Sequence, residues 1–348
     1  MARELNVEEW DVIACCSGDG IPHEVFNGLA QQSHPQLALR SVAVTQLPGG
    51  SGNGMSWNLH GTGSASIAAL SVVKGLAMPL DLVSITQGTT RTLSFLSQAV
   101  GIIAESDLGT ESWRWMGDTR FTIGYMLRLM RQTVWPVDLA LGIEIDDKDG
   151  VKLAYRKYVD SLSGDLKPLQ SPVASSSSSD NEEQQLHANA DADATSLPPL
   201  RFGTINEPLP SSWKLVPYEN LGNFYAGKMA YMTANSNVFP ASVPADGLLD
   251  LMMVDGDISR RRALDLADDV GRGTLMDQAE VRYIKVSGYR IIPREKEGYI
   301  SIDGERIPFQ GFQAEVHKAL GCALSKSGKL YESYGPKDAL NLGNGEVM

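Results

Sequence analysis

The sequence predicts an α/β domain followed by an all-β domain, and three observations predict it. Near the start, two short apolar runs each lead into a glycine-rich loop and then a helical pattern. From about residue 80 the pattern changes to short alternating runs separated by Gly, Pro and Asp turns. At 348 residues the chain is also long enough to bury two ordinary cores.

In the first region, residues 11–16 (DVIACC) and 40–46 (RSVAVTQ) read as short buried strands. Behind the first, Pro22 suits an early helical position, and Ile21, Val25 and Leu29 recur at helical spacing. Behind the second, LPGGSGNG leads into SASIAALSVVKGL, which reads as one helix. Strand, loop and helix repeated in this way build a parallel sheet wound by helices. Two strands are too few for such a sheet. Either the chain is an incomplete version of a longer one, or strands from elsewhere complete the sheet.

The second region contains LDLVSIT, TRTLSFL, VDLALGIEI, FYAGKMAYM, GLLDLMMV, VRYIKVSGYRII and GYISIDGERI. Two clear helices interrupt them, around residues 117–131 and 259–272, and the whole reads as a β-sandwich. The boundaries predicted are residues 1–76, 77–335 and a tail, 336–348. Inside the second domain, five consecutive serines and five acids, with no Lys or Arg between Ser171 and Ser196, mark a disordered insertion over about residues 165–200.

The formal net charge of −12, with no basic tract longer than Arg260 to Arg262, argues against a nucleic-acid partner. Three cysteines in neither disulfide nor metal spacing read as buried thiols in a reducing compartment. The mixed charges of MARELNVEEWD do not make a signal peptide. No stretch approaches the roughly 18 apolar residues of a membrane span. The expected location is therefore cytoplasmic, with peripheral contact to membranes. The sequence leaves the oligomeric state open.

Ligands of open α/β sheets bind beyond the carboxyl ends of the strands, where both glycine loops fall. Ser17, Gly18, Asp19 and Gly20 form either a plain turn or a loop whose amides approach an oxyanion at a helix start. The run from Pro48 to Gly54, with Gly50, Ser51 and Gly52 at its centre, has the same features. Neither loop matches the Walker or dinucleotide pattern. Further on, Arg114 and Arg120 near a helix start suit phosphate oxygens or a solvated face. Asp303, Gly304 and Glu305 read as a tight turn between two strands.

In order, SGDGIPHEVFNGL, LPGGSGNGM, SDLGTESWRWMGDTRFTIG, PADGLLDLMMV and YISIDGERIPFQGFQAEVHKAL resemble the sphingosine kinases, or long-chain-base kinases, within the diacylglycerol-kinase-like lipid kinases. The resemblance runs from about residue 11 to residue 320. It implies a Rossmann-like nucleotide domain, a β-sandwich lipid domain and a cleft between them. Nothing upstream of Asp11 matches the further strands and N-P loop with which that family begins, so the nucleotide domain reads as N-terminally incomplete.

The resemblance implies transfer of the γ-phosphoryl of ATP, with Mg²⁺, to the primary hydroxyl of a sphingoid base. It makes Asp19 the catalytic aspartate and puts Ser17, Gly18 and Gly20 on the cleft. Glu24, Gly50, Ser51, Gly52, Arg114, Arg120, Asp303, Gly304 and Glu305 fall at nucleotide positions. Asp107, helped by Ser97, matches the acid that holds the lipid head. An ammonium near the hydroxyls of a sphingoid base suits that carboxylate, and diacylglycerol has no such cation. The resemblance assigns no metal ligand. The alternatives are a truncated, catalytically impaired lipid-binding protein of the same family and a diacylglycerol kinase.

Overall fold

The structure is a computed structural model that describes residues 1–110, 119–163 and 195–337. Strands β1 (Val12–Ser17) and β2 (Ala43–Pro48) pair in parallel, from Val12 opposite Ala43 to Ser17 opposite Pro48. Between them run helices α1 (Gly20–Leu29) and α2 (Pro35–Ser41), so the predicted winding is present. After β2 come α3 (Gly54–His60) and α4 (Ala65–Val73). Gly61, at a φ of +66°, ends α3 in the left-handed region that favours glycine.

Two local expectations need correction. Helix α1 buries Pro22, Phe26 and Leu29, whereas Ile21 is exposed, so the apolar face is turned by about one residue. Cys16 is exposed while Cys15 and Cys322 are buried. Alternate side chains of a strand face opposite sides: Ile13 and Cys15 of β1 join the first core, Val12 meets a small cluster with Ala43 and Cys322 on the other face, and Cys16 lies beyond it.

The β-rich region comprises β3 (Leu76–Gln87), β4 (Thr90–Ser94), β5 (Ser97–Gly101), β6 (Val137–Ile145), β7 (Val216–Tyr218), β8 (Leu221–Gly227), β9 (Leu249–Asp255), β10 (Val281–Pro293), β11 (Ile300–Ile302), β12 (Glu305–Ile307) and β13 (Phe312–Ser325). It carries α6 (Thr119–Arg131) and α8 (Arg260–Arg272), near the two positions predicted. It also carries α5 (Ile102–Leu108) and α7 (Lys148–Ser163), which the reading of two helices omitted. Among the described residues the strands form one branched, hydrogen-bonded network rather than two separate sheets.

Strand β13 makes one branch, and β10, which pairs with β6, β9 and β13, makes another. The first half of β13 pairs with β10, and along its length it pairs antiparallel with β3. Near its end, Ala323 lies parallel to Val44 of β2. A strand from elsewhere thus continues the β1–β2 sheet. The first core accordingly joins Phe26, Val44 and Met55 to Met78, Leu82, Phe95 and Ala323. A second core lies among Val100, Phe224, Ile284, Tyr289 and Phe312, and a third apolar cluster includes Ala99, Ala104, Phe239, Met252 and Tyr283.

Between His317 and Gly321 the β13 register jumps, and Ala319 there has a φ of +50°. Asp81 of β3 fills the bulge, accepting from the Ala319 and Gly247 amides, each at 2.7 Å. Lys228 bridges Asp81 and Asp246 at 2.7 and 2.6 Å, and Lys285 bridges Asp246 and Asp250, each at 2.9 Å. Between two lysines, Asp246 is held well below the usual carboxylate range despite burial, which alone would raise it.

The predicted insertion lies outside the described residues from 165 to 194. Its end, residues 195–200, is packed: Arg91 donates to the Pro198 carbonyl at 2.8 Å, Gln36 donates to that of Ser196 at 3.0 Å, and Leu197 lies on the first core.

Candidate active site

The parallel register that sets Ser17 beside Pro48 also stacks the two glycine loops. The Gly49 amide donates to the Ser17 carbonyl at 3.0 Å. A Cβ on Gly50 would stand 2.5 Å from Gly18 Cα, so only glycine allows this approach. Asn53, at a φ of +53°, accepts from the Gly50 amide at 2.8 Å and donates to its carbonyl at 2.7 Å. Gly50 therefore contributes closeness, its own amide being already used. Ser51 is exposed at the loop tip, and Gly52 lies against the Asp19 carboxylate.

Asp19 reaches across from one loop to the helix behind the other. Its Oδ2 accepts from the Gly54 amide and its Oδ1 from the Met55 amide, both at 3.0 Å. Gln46, fully buried on β2, donates to the Ser17 carbonyl, accepts from the Ser56 amide and also bonds Asp19. Burial raises the Asp19 carboxyl above its usual 3.8, the three donors pull it down, and the charge of Asp303 adds to the rise, leaving it raised. A carboxylate shifted this way is a better base than a free one.

The turn at Asp303 and Gly304 joins β11 to β12, as its composition predicts, with φ values of +53° and +87°. The Asp303 side chain is buried. It accepts from Ser94 Oγ at 2.6 Å, from the amides of Phe95, Leu96 and Ser97 at 3.0, 2.9 and 2.9 Å, and from His23 Nδ1 at 2.8 Å. Five donors fill a carboxylate's acceptor sites, so this side chain is a clamp on the β4–β5 turn and on α1. Gly304 and Glu305 are exposed beside it, with Glu305 Oε1 3.0 Å from where a Gly20 Cβ would be.

On the opposite side, Asp107 on α5 accepts from Ser301 Oγ at 3.4 Å. Ser301 and Tyr225 both pair with Ala99 of β5, which sets them on one row two residues from Ser97. Tyr225 is buried and shares a hydrogen bond with Ser97. Burial raises its phenol well above 10, and the charges of Asp107, Asp19 and Asp303 raise it further. The phenol thus lies within electrostatic reach of all three aspartates. Beyond it, Tyr225 stacks on Phe239 at 5.1 Å, at the edge of the third apolar cluster.

The predicted residues Ser17, Gly18, Asp19, Gly20, Gly50, Gly52 and Glu305 come together, with Glu24 exposed one turn along α1. Ser97 bonds the Tyr225 phenol, and the charge of Asp107 acts on the same phenol. Arg120 lies in the first turn of α6, and Arg114 lies outside the described residues. A groove of about 600 Å³ between Arg40, Glu144, Arg201 and Lys318 touches none of these residues.

Asn53 was legible as the amide side chain of the second glycine loop, whereas His23, Gln46 and Tyr225 were not singled out from the sequence. His23 had a signal: Asp19, His23 and Asn27 recur every four residues along α1. Gln46 and Tyr225 had none, because their partners are distant in the chain.

Residues 1–85 match the diacylglycerol kinase catalytic domain family. Over 96% of the chain the sequence is 32% identical to sphingoid long chain base kinase 5 of Saccharomyces cerevisiae, covering 53% of that protein. It is 30% identical to sphingoid long chain base kinase 4 of Schizosaccharomyces pombe, over 93% of the chain and 64% of the relative. With human sphingosine kinase 1 it shares 28% over 91% of the chain and 76% of the relative. The chain thus spans little more than half to two thirds of the two yeast relatives. A crystal structure of a diacylglycerol kinase from Bacillus anthracis superposes with a TM-score of 0.51 at 15% identity, over 92% of this chain and 80% of that one, a likeness of fold alone.

Proposed function

We propose that the chain, which is similar over most of its length to sphingoid long-chain-base kinases, transfers the γ-phosphoryl of ATP to the primary hydroxyl of a sphingoid long-chain base. The observation that carries the proposal is Asp19, a buried carboxylate held by the Gly54 and Met55 amides where the two glycine loops stack. Asp107, far from it in sequence, is bonded by Ser301 on the strand row that also holds Tyr225.

In this reading, residues 1–76 supply a Rossmann-like nucleotide side and residues 77–335 a β-sandwich lipid side, with the tail after 335 taking no part. Asp107 pairs with the lipid ammonium, and Ser97 and Tyr225 fix the neighbouring hydroxyls. The apolar tail runs toward the cluster around Phe239 and Met252. The nucleotide lies along Glu24, Gly50 to Gly52, Gly304 and Glu305, with Arg114 and Arg120 toward its phosphates. Asp303 holds that wall in place without touching the ligand.

A carboxylate offers about four acceptor positions. Gly54, Met55 and Gln46 occupy three on Asp19, which leaves one for the lipid hydroxyl. As the hydroxyl oxygen bonds to γ-phosphorus, the bond to the β-phosphate oxygen breaks and ADP leaves. The hydroxyl proton passes to Asp19. With a loose transition state that proton leaves late, so Asp19 first serves to aim the oxygen. Mg²⁺, carried in by the nucleotide, would supply neutralisation of the charge on the transferring phosphoryl group. No residue of this chain is assigned to it.

No described helix is long and apolar enough to cross a membrane. Peripheral contact with a bilayer, from the cytoplasmic side, is supported by α6. It exposes Ile123, Met126 and Leu127 while Arg128 ties it to Glu105 of α5, next to Asp107.

Labelled phosphate transfer from ATP to sphingosine, dihydrosphingosine, phytosphingosine and diacylglycerol tests the proposal. Label is expected in the three sphingoid bases and not in diacylglycerol. Label in diacylglycerol alone overturns the role of Asp107, and no transfer to any acceptor overturns the reaction.

A further inference from the structure

Helix α1 leaves the Asp19 loop and carries His23 one turn later. Its Nδ1 lies 2.8 Å from Asp303 Oδ2, and the ring side chain keeps 15% of its surface exposed against none for Asp303. The next polar residue on that face, Asn27, is fully engaged. It exchanges two hydrogen bonds with the Leu93 backbone, both at 2.8 Å, and donates to the His23 carbonyl at 2.9 Å. Its amide lies 3.4 Å from His23 Nε2, a long contact. The imidazole is therefore pinned at Nδ1 by Asp303, while Nε2 has no acceptor in Asn27, whose two amide hydrogens are spent on carbonyls.

The charges that bear on the ring come from two elements: Asp303 and Glu305 from the β11–β12 hairpin, and Glu24 from its own helix. Glu24 and Glu305 are also the acids matched to nucleotide positions. A polyphosphate placed among uncompensated carboxylates would be repelled by them.

We propose that His23 is a positioning residue for the nucleotide, an imidazolium pinned by Asp303 that offsets Glu24 and Glu305 where the phosphates lie. The inference rests on the nucleotide placement proposed above. Burial lowers the imidazole, but the hydrogen bond to Asp303 and the charges of Asp303, Glu305 and Glu24 outweigh it and raise it above 6.5. The sign follows. The cation is present below that raised value and is lost as pH rises through it, so nucleotide binding is strongest on the acid side.

The test compares binding of Mg²⁺-ADP to the wild-type chain and to His23→Asn between pH 6 and pH 9. Titration of the nucleotide itself is common to both. The wild type is expected to lose affinity with rising pH, by about tenfold for each unit by which bound nucleotide raises the imidazole. His23→Asn is expected to bind on the order of 3 to 10 times more weakly at the acid end, without that extra pH dependence. In turnover, KM for ATP should change more than kcat, which a merely structural role would not produce.

Carbon-13 NMR of the wild-type histidines reads the His23 titration directly, so the result stands even where the variant fails to fold. Equal pH dependence in both proteins, or a His23 titration unmoved by Mg²⁺-ADP, overturns the proposal. Flat binding with intact phosphate transfer overturns it alone. pH-dependent binding without transfer to any lipid leaves His23 in place and overturns the reaction. No binding at any pH overturns both.

Discussion

Asp19 is pulled two ways, upward by burial and downward by the Gly54 and Met55 amides and Gln46, and burial wins. A base works only when ionised, so phosphate transfer should fail as pH falls through the raised value. The acid limb of the pH–rate profile should then lie above the ordinary carboxylate range near 3.9. Asp19→Asn should lower kcat by about 10² to 10⁴ while leaving most lipid binding, measured at equal folded concentration. A near-normal rate in that variant removes Asp19 from the mechanism. This residue was legible only through its company: SGDG alone reads equally as a plain turn, and the catalytic role came from the ordered resemblance of five segments. Tyr225 was not legible, since nothing within FYAG announces that Ser97 and three aspartates converge on its phenol. Asp303 was legible as a turn residue, but the donors that fill its carboxylate were not, because they come from α1 and the β4–β5 turn.

At the scale of elements, the two loops fit through absence of side chains. Gly50→Ala would drive a methyl into Gly18 Cα at 2.5 Å, whereas a Cβ on Gly18 meets Gly50 Cα at a tolerable 3.4 Å. Gly50→Ala should therefore lower stability by about 1–3 kcal/mol and disturb Asp19, and Gly18→Ala should do distinctly less of both. Thermal unfolding and transfer rates of the two variants check this, and equal effects would show that the loops are not tightly stacked. The β11–β12 turn was legible because Asp-Gly between strand-like runs has one common solution. Helix α5 was not, since seven residues carry too little periodicity, and β13 was quoted without its partners being apparent.

Across the whole molecule, the buried chain Asp81–Lys228–Asp246–Lys285–Asp250 joins the bulge in β13 to the β9 and β10 strands. Removing one cation leaves carboxylates unpaired in the interior. Lys228→Met should cost about 3–5 kcal/mol, read by denaturant unfolding, and a loss under 1 kcal/mol would show that the network relaxes without it. None of this network was legible, because each lysine and aspartate alone resembles a surface residue. Completion of the small parallel sheet by strands from elsewhere was legible as one of two options, but not which strand. The answer has a consequence for synthesis. The β1–β2 unit leaves the ribosome on the order of tens of seconds before Phe312–Ser325, the last described strand, can lie against it. During that interval Met55, Val44 and their neighbours lack part of their cover, so the nascent chain is a natural client for chaperones.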